Sequence, residues 1–453
     1  MSLVDQVGAC TTVEQAVALL DGPDIGDVRI GIVDVDTVIR EKAVKPAKAR
    51  KLLQEGYAFC DVLYRWDIGE EVYGGDAFAD EAASIDPASI RCNPFRDDGV
   101  MFLADFTGPT AAISPRNLAL QQIARAEAMG YGVRAAFEYE FFLFDETAAT
   151  LREKRFRDLT SYLPGNWTYS ALSSVAGEAF LSGLEAALQR GGIELDAMHT
   201  ELGPGCIEAP LAVARGIRAA DNAAFFKTFT KAYANQQDKT ASFMAKWSDQ
   251  WPGQSGHMHL SLIDRETGKP TFAGTSADAG PNAVMANFIA GIVAYLPELL
   301  AMTAHTANAY RRLVPGAWAP THACWGVQNR STSVRVISDP AEAARIEYRV
   351  PSADCNPYLA LAACLASGLD GIERGLEPPA QSLGDAYGET VAPERRFPRT
   401  LLEAAERLQA SEAARRLFGA AFVEWFADSR IREDLVFRAH VSDLDVQRYF
   451  EKI

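Results

Sequence analysis

The sequence predicts an α+β protein, in which a small β-rich domain precedes a large domain of alternating strands and helices. Three observations lead to this prediction. The chain has 453 residues, more than the ~250–300 at which a single hydrophobic core stops growing. The first ~105 residues consist of short strand patterns and turns with one or two helices. Beyond them, β-branched alternating runs are interleaved with runs of helical periodicity.

The N-terminal part contains two predicted strands, at residues 28–38 (VRIGIVDVDTV) and 100–106 (VMFLADF). Pro109 and a second proline shortly after it then interrupt the chain before a helical run begins. We therefore place the domain boundary at this point. The predicted domains cover residues 1–108 and 109–453.

The second domain is read in order from its periodicity. Strands are predicted from alternating and β-branched residues, and helices from apolar positions three and four residues apart. Asn356 and Pro357 supply an N-cap and a proline at the first helical position. The last ~55 residues are helical and charged. Strands are expected at residues 134–144, on both sides of 201–211, and at 257–263, 333–337 and 345–350, and helices at 117–130, 178–191, 219–234 and from 357 onward.

Composition and charge exclude several classes of function. The formal charge of −16 argues against a nucleic acid or an anionic membrane as partner, because binding to phosphate-rich surfaces needs a basic patch. A nucleotide is still compatible, since it needs only a few arginines, lysines or a metal. Seven cysteines without a C-x-x-C spacing fit a reducing cytoplasm, and no secretory signal pattern opens the chain. The apolar stretch at 284–304 is interpreted as a buried helix, with a transmembrane span as the alternative.

Polar residues two positions apart recur on the predicted strands, and such residues point to the same face of a strand. Glu138 and Glu140 form one pair, with aromatic residues on the opposite face. His257 and His259 form another. Taken alone, the glutamate pair also fits a solvated strand face, and the histidine pair also fits hydrogen-bonded core residues.

Two further pairs extend this pattern. Glu347 and Arg349 share a face, with a surface ion pair as the alternative. Glu201 and Glu208 flank a Gly-Pro-Gly turn, where a hairpin would bring both carboxylates toward one site. Burying so many ionisable groups is costly unless they pair or bind metal. Several carboxylates with one or two imidazoles favour a hard cation such as Mg²⁺ or Mn²⁺ over zinc.

Arginines are concentrated in the same part of the chain. Guanidinium groups bind carboxylates and phosphates bidentately, and cations facing arginines neutralise the charge that moves in phosphoryl transfer. A purely structural arginine cluster is the alternative. The residues predict a metal-dependent phosphoryl-transfer or hydrolytic enzyme. The arginines concerned are Arg311, Arg312, Arg330, Arg335, Arg345 and Arg349.

At these residues the sequence resembles the glutamine synthetase family over essentially its whole length. The matching stretches are FEYEFFLFD, ELGPGCIEAP, SGHMHLSL, NAYRRLVPG, NRSTSVR and ARIEYRVPSADCNPYLALAA. The resemblance implies an N-terminal β-grasp domain and a catalytic domain with a curved antiparallel sheet. It also implies active sites shared between neighbouring subunits of a homo-oligomer, either a hexameric ring or a double-ring dodecamer.

The resemblance implies a role for each candidate residue. ATP would phosphorylate the γ-carboxylate of glutamate in the presence of two or more Mg²⁺ or Mn²⁺ ions, and an amine would then displace the phosphate. Glu140, Glu201 and Glu208 would hold the ion that positions glutamate, and Glu138, His257 and Glu347 the ion that contacts ATP. His259 and Ser261 would lie beside the nucleotide, Arg330, Arg335 and Arg345 beside its phosphates with Arg330 catalytic, and Gly253, Arg312 and Arg349 beside glutamate.

Two departures from the family pattern concern the acceptor. Family members that use ammonia carry an acidic residue in a flap of pattern P-G-x-E-A-P, where this chain has PGAWAP with Trp318. The Asp-Gly-Ser-Ser segment that helps to bind ammonium is missing, and Asp61 is the candidate substitute. Trp318 would thus offer the acceptor an apolar wall, with simple packing of the flap as the alternative.

The sequence therefore predicts an ATP-dependent ligase that forms a γ-glutamyl amide from glutamate and a primary amine with an apolar portion. Asp61, Glu201 and an amine that arrives already neutral are the candidates for the deprotonation step. The alternatives are a glutamine synthetase that uses ammonia, a catalytically silent scaffold, and a dinuclear metal hydrolase. The expected partners are small molecules: glutamate, ATP and the amine.

Overall fold

The computed structural model describes residues 3–74, 78–163, 165, 167–274, 280–338 and 340–453. The strands are β1 (Asp27–Val33), β2 (Ile39–Val44), β3 (Tyr57–Cys60), β4 (Asp80–Cys92), β5 (Gly99–Phe106), β6 (Tyr131–Phe144), β7 (His199–Thr200), β8 (Cys206–Pro210), β9 (Ala214–Arg215), β10 (Thr240–Ser242), β11 (Gly256–Asp264), β12 (Trp325–Val327), β13 (Val334–Ile337) and β14 (Arg345–Tyr348). The helices are α1 (Leu3–Gly8), α2 (Val13–Leu20), α3 (Pro46–Glu55), α4 (Pro115–Ala128), α5 (Ala148–Glu153), α6 (Ala171–Arg190), α7 (Arg218–Gln236), α8 (Ala283–Leu299), α9 (Pro357–Arg374), α10 (Leu401–Ala410), α11 (Glu412–Phe418), α12 (Ala420–Ala439) and α13 (Asp443–Tyr449).

The N-terminal sheet has the strand order β2-β1-β5-β4-β3, and only its β1–β5 pair is parallel among the described residues. The prediction of one strand over residues 28–38 is wrong at its C-terminal end. The Asp34 carboxylate accepts the backbone N–H groups of Asp36 and Val38 at 3.0 and 2.8 Å. This turn reverses the chain, so β1 ends at Val33 and β2 runs back beside it.

Strands β2, β3 and β4 and at least one helix of this part were not predicted. Strand β4 contains Pro87, and its pairing with β5 shifts register between Asp86 and Arg91, so its residues do not alternate regularly. Three helices precede β4, namely α1, α2 and α3, where one or two were expected.

The larger sheet has the order β12-β13-β14-β11-β6-β8-β7, with β9 and β10 also pairing with β6. All its described pairs are antiparallel except β12–β13. The sheet is curved, and the predicted α+β class with a curved catalytic sheet is confirmed. Every strand and helix predicted beyond residue 109 is present, with ends that differ by up to seven residues.

One arginine joins the N-terminal sheet to helices of the larger part. Arg116, on α4, is buried and binds Asp86 of β4 at 2.5 Å and Asp105 of β5 at 2.6 Å. The same guanidinium binds Asp221 of α7 at 2.9 and 3.0 Å. The N-terminal sheet is thereby attached to helices of the larger part. The boundary at residue 108 and the β-grasp assignment stay predictions.

The apolar stretch predicted as a buried helix is α8 with the short turn that follows it. It is long and apolar enough to cross a membrane by composition, but 67% of that window is buried inside the protein. Helix α8 packs against α9 and α10. A Cβ atom on Gly291 would lie 2.0 Å from the Ser367 carbonyl oxygen, so glycine allows the two helix backbones to approach closely.

Candidate active site

The polar pairs predicted from the sequence lie on one face of the larger sheet. Between them, Phe137, Tyr139 and Phe141 point to the other face of β6 and are buried in the main core. The strand register then brings residues of adjacent strands together. The pairs directly opposite each other are His257–Glu138, Glu140–Glu208 and His259–Glu347.

Glu138 is at the centre of one half of this site. His257 Nδ1 lies 3.4 Å from Glu138 Oε1 and 3.4 Å from Glu347 Oε1. His259 Nε2 lies 3.4 Å from Glu138 Oε2. One ligand atom each of Glu138, His259 and Glu347 lie within 4.8 Å of one another, a group that could hold a metal ion. His259, expected beside the nucleotide, is therefore also placed to be a metal ligand.

Three glutamates form the other half, as the predicted hairpin of β7 and β8 brings Glu201 and Glu208 to the same cavity. Glu140 Oε2 accepts the Ser255 backbone N–H at 2.6 Å. Glu208 Oε1 lies 3.4 Å from His199 Nε2. Glu201 Oε1 accepts the N–H of the next residue at 3.0 Å, while its other oxygen is buried without a partner.

The two halves differ in electrostatic character. Burial and the neighbouring Glu208 raise the pKa of Glu140 to about 7. Burial also raises the pKa of Glu208, against the effect of His199. In the other half, burial is outweighed by Arg349 and the histidines, so the pKa of Glu347 falls to about 2. Burial is likewise outweighed at Glu138, where hydrogen bonds with His257 and His259 lower the pKa well below its ordinary value.

The donor set fits hard divalent cations. It consists of carboxylates and imidazoles without thiolates, as Mg²⁺ and Mn²⁺ prefer. His257 Nε2 and Glu201 Oε2 are buried without a hydrogen-bond partner, which is costly unless a ligand satisfies them. Burial, with Arg349 nearby, lowers the pKa of His257 to about 4, so its ring is neutral at pH 7, as a metal ligand must be.

Arginines face this ligand set from β13 and from the residue that follows β14. Arg335 Nη1 lies 2.9 Å from Glu347 Oε2, and Arg349 binds the other oxygen of the same carboxylate. Arg330 lines the same cavity and lies beside Tyr169. The cavity has a volume of about 480 Å³. The same cavity is thus lined by both carboxylates and guanidinium groups.

The residues expected to bind glutamate also line this cavity. Buried Arg312 donates to the carbonyl oxygens of Val350 and Arg349 at 3.0 and 3.2 Å. Gly253 packs against it, since a Cβ atom there would lie 2.6 Å from Arg312 Cγ and 2.8 Å from the Ala245 carbonyl oxygen. Any other residue at position 253 would therefore displace Arg312 or the Ala245 carbonyl group.

Trp318 lies at the mouth of the cavity. Its backbone has a φ of 56°, its side chain is 64% exposed, and its carbonyl accepts from Arg349 Nη2 at 3.3 Å. Trp318 and Arg330 also line a second cavity of about 610 Å³, which continues toward Tyr387. The indole therefore stands between the ligand set and this outer space rather than in a packed core.

Four predicted site residues do not line this cavity: Asp61, Ser261, Arg345 and His259, although His259 contacts Glu138. Asp61 lies in the N-terminal part, where its carboxylate accepts the Ala79 N–H at 3.1 Å and binds Arg65 at 3.2 Å. Ser261 lies on β11, beyond His259 and opposite Arg134. Arg345 donates to His259 Nδ1 at 3.2 Å, next to the metal-ligand cluster. Asp61 is therefore not part of the cavity formed within this chain.

The sequence analysis missed three residues of the site. His199 binds Glu208, Tyr169 packs against His199 with tilted rings whose centroids are 4.8 Å apart, and Ser255 supplies the N–H that binds Glu140. Single residues in or beside loops carry no periodic signal. For His199, its position directly before the predicted hairpin could have served as an indication.

Comparisons with known proteins agree with this geometry. A family model described as the catalytic domain of glutamine synthetase matches residues 112–449. A glutamate–isopropylamine ligase of a Pseudomonas species is 34% identical, over 95% of this chain and 96% of its own length. A γ-glutamylethanolamide synthetase of Streptomyces coelicolor is 31% identical, over 97% and 96%. A type-1 glutamine synthetase of Dictyostelium discoideum is also 34% identical, over 94% and 84%.

Solved structures are similar as well. The ligand-free structure of GmaS aligns with a TM-score of 0.84 and 25% identity, over 96% of this chain and 99% of that one. A GmaS complex with ADP aligns with a TM-score of 0.83 and 26% identity, over the same shares of the two chains.

Proposed function

This chain belongs to the glutamine synthetase family of ATP-dependent carbon–nitrogen ligases, and we propose that it joins the γ-carboxylate of L-glutamate to a primary amine. One observation supports this choice of acceptor. Trp318, an exposed and uncharged indole, stands at the mouth of a cavity that keeps the whole predicted ligand set. An apolar wall favours an amine with an alkyl or aryl portion over ammonium.

The family uses ATP and divalent metals, and we propose that this donor set holds two Mg²⁺ or Mn²⁺ ions. Glu140, Glu201 and Glu208 would hold one ion. Glu138 and Glu347, with His257 or His259, would hold the other. Bound cations supply positive charge that offsets the charge of the phosphates and of the substrate carboxylate.

The chain's own residues then divide the remaining tasks. Arg312 and Arg349, with the backbone at Gly253, orient glutamate so that its γ-carboxylate faces ATP. Arg330 and Arg335 stabilise the charge on the phosphoryl group as it moves to that carboxylate. The amine then attacks the γ-glutamyl phosphate, forms the amide bond and expels inorganic phosphate.

The amine must lose a proton during this attack. Glu201 is suited to accept it, because one of its carboxylate oxygens lines the cavity without a protein partner. Asp61 of a neighbouring subunit and an amine that arrives neutral are the alternatives.

The predicted assembly is a homo-oligomeric ring of six or twelve subunits. Each of the seven cysteines is a free thiol, as expected for a cytoplasmic protein.

A second candidate function is glutamine synthesis from ammonia. The 34% identity to a glutamine synthetase, equal to that with the isopropylamine ligase, favours it. ADP release with glutamate, ATP and Mg²⁺ separates the two functions when ammonium is compared with a panel of alkyl and aryl amines. Strong stimulation by organic amines only is the expected result. Equal or greater stimulation by ammonium would contradict the proposal, and silence with every acceptor would support a scaffold.

A further inference from the structure

A second arginine-rich cavity lies away from the active site, between α1, the end of β4 and the C-terminal end of α6. Its volume is about 360 Å³, within the range of small-molecule sites. Val7 and Ile90 form part of an apolar wall, Gln189 and Asn222 are polar, and three arginines and one glutamate are charged. Those charged residues are Arg91, Arg190, Arg218 and Glu194.

Two of these arginines have no acidic partner. Among the described residues, no carboxylate oxygen lies within 4.0 Å of the guanidinium groups of Arg91 or Arg218. Arg190 is different, because it binds Asp97 at 2.7 Å. Asp221 attracts both Arg91 and Arg218, but it is already held at 2.9 and 3.0 Å by Arg116.

The two guanidinium groups are close to each other. A Cβ atom placed on Gly192 would lie 3.7 Å from Arg218 Nη2 and 3.8 Å from Arg91 Nη1. Arg91 is fully buried, and although it binds Asn222 and the Gly192 carbonyl oxygen, its Nε has no partner. Burial and the nearby Arg218 lower the pKa of Arg91 to about 9. Arg218 is partly exposed and donates to the Ala88 carbonyl oxygen at 3.0 Å. A buried cation next to a second cation is costly without an anion between them.

From this arrangement we propose that the cavity is a binding site for a small organic dianion, a phosphate monoester with a short apolar body. The phosphate would accept from Arg91 and Arg218, and the apolar body would pack on Val7 and Ile90. Since Arg190 is paired with Asp97, the two arginines without an acidic partner, Arg91 and Arg218, outweigh the charge of Glu194. This inference does not depend on the proposed ligase activity, because it concerns binding at a separate place.

The position of the cavity relates it to the metal ligands. Glu194 and Ala212 both line it, and the Ala212 N–H donates to the Glu194 carbonyl oxygen at 2.9 Å. This hydrogen bond closes the base of the β7–β8 hairpin, whose tip carries Glu201 and whose second strand carries Glu208. A ligand in the cavity would therefore order the base of the hairpin that positions two metal ligands.

The test is calorimetric titration of the full-length protein with phenyl phosphate. Phenol, which lacks the dianion, and inorganic phosphate, which lacks the apolar body, are compared with it. Saturable binding of phenyl phosphate, weaker binding of inorganic phosphate and none of phenol are expected. Absence of saturable binding to the wild-type protein at millimolar phenyl phosphate would overturn the proposal.

Variants localise the binding. Arg218→Met should weaken phenyl phosphate binding by about tenfold or more, as loss of a charge-assisted hydrogen bond implies. Arg215→Met removes the same charge from an exposed position outside the cavity and should leave binding unchanged. Arg335→Met removes an active-site arginine. If Arg335→Met abolishes binding while Arg218→Met does not, the ligand occupies the active site and the proposal fails.

Folding of each variant is verified by circular dichroism. If Arg218→Met does not fold, Arg218→Lys replaces it, because lysine keeps the charge but loses the planar fork. Hydrogen exchange supplies the independent readout. Slower exchange at residues 189–194 and 212–222 on addition of phenyl phosphate is expected, and protection confined to residues 330–349 would contradict the site.

Discussion

Glu140 and Glu208 lie directly opposite each other on β6 and β8, and this register brings two carboxylates into one buried space. Burial and the charge of Glu208 raise the pKa of Glu140 to about 7, from an ordinary value of 4.5. In the metal-free protein the folded state therefore binds a proton more tightly than the unfolded state. Stability falls as the pH rises from 4.5 to about 7 and stays lower above that.

Glu140→Gln should consequently stabilise the metal-free protein at pH 8, by roughly 1–3 kcal/mol, because the amide carries no charge to repel Glu208. At pH 5 the same substitution should change stability little, since the carboxyl is already protonated in the folded state. Denaturant unfolding in EDTA at both pH values measures this effect. A variant that is less stable than the wild type at pH 8 would show that Glu140 is not repelled by Glu208.

Trp318 provides the test of acceptor choice. Trp318→Ala should lower kcat/KM for an alkylamine such as isopropylamine by about tenfold, the effect of losing a large apolar contact. The value for ammonium should stay unchanged. Trp318→Glu should shift the ratio further toward ammonium, because a carboxylate favours a small cation.

Phe156→Ala is the matched control for Trp318. Phe156 is 65% exposed, as Trp318 is 64% exposed, but it does not line the active-site cavity. Its removal should alter neither acceptor. Equal losses with both acceptors in Trp318→Ala would mean that the indole only packs the flap.

His199 should act on the metal through Glu208. A hydrogen-bonded partner of a ligating carboxylate typically contributes about 10–100-fold to metal affinity, so His199→Gln should weaken Mn²⁺ binding by that factor. Electron paramagnetic resonance of free Mn²⁺ measures the affinity without turnover. His322→Gln is the control, since its ring lies 3.4 Å from Glu389, the same distance as in the His199–Glu208 pair, but outside the active site.

Asp61 tests whether neighbouring subunits share an active site. Asp61→Asn and Glu347→Gln should each be poorly active alone, because one lacks an N-terminal group and the other a metal ligand. Mixed rings assembled from equal amounts should recover about a quarter of the wild-type sites, where intact halves of two subunits meet. No recovery in rings that mass spectrometry shows to be mixed would place Asp61 outside any shared site.

The larger sheet and most of its site could be predicted from the sequence because their signals are periodic. Glu138, Glu140, His257 and His259 alternate with buried residues, which places them on one face. The Gly-Pro-Gly sequence predicted the hairpin because glycine adopts positive φ values easily, as tight turns require. Gly203 and Gly205 indeed have φ values of 119° and 79°.

Other parts could not be predicted because their signals are not local. Strand β4 contains Pro87, and its register with β5 shifts between Asp86 and Arg91. Its residues therefore do not alternate regularly, and only its pairing with β3 and β5 identifies it as a strand. Tyr169 reaches the site from an irregular segment with a φ of 53°, a conformation that sequence patterns for tyrosine do not indicate. The arginine cavity is assembled from α1, β4, α6 and α7, which are far apart in the chain, so only the folded structure brings its residues together.

The placement of Trp318 on a loop, while the ligand residues are mostly on paired strands, has an evolutionary consequence. The strand register fixes the positions of Glu138, Glu140, Glu208 and His257. Under the proposed function, substitutions at these residues would disturb the activation of glutamate. Trp318 takes no part in sheet pairing among the described strands. A lineage can therefore exchange this residue and explore new acceptors while its phosphorylation chemistry is inherited intact, which also makes the loop the natural place to begin directed evolution.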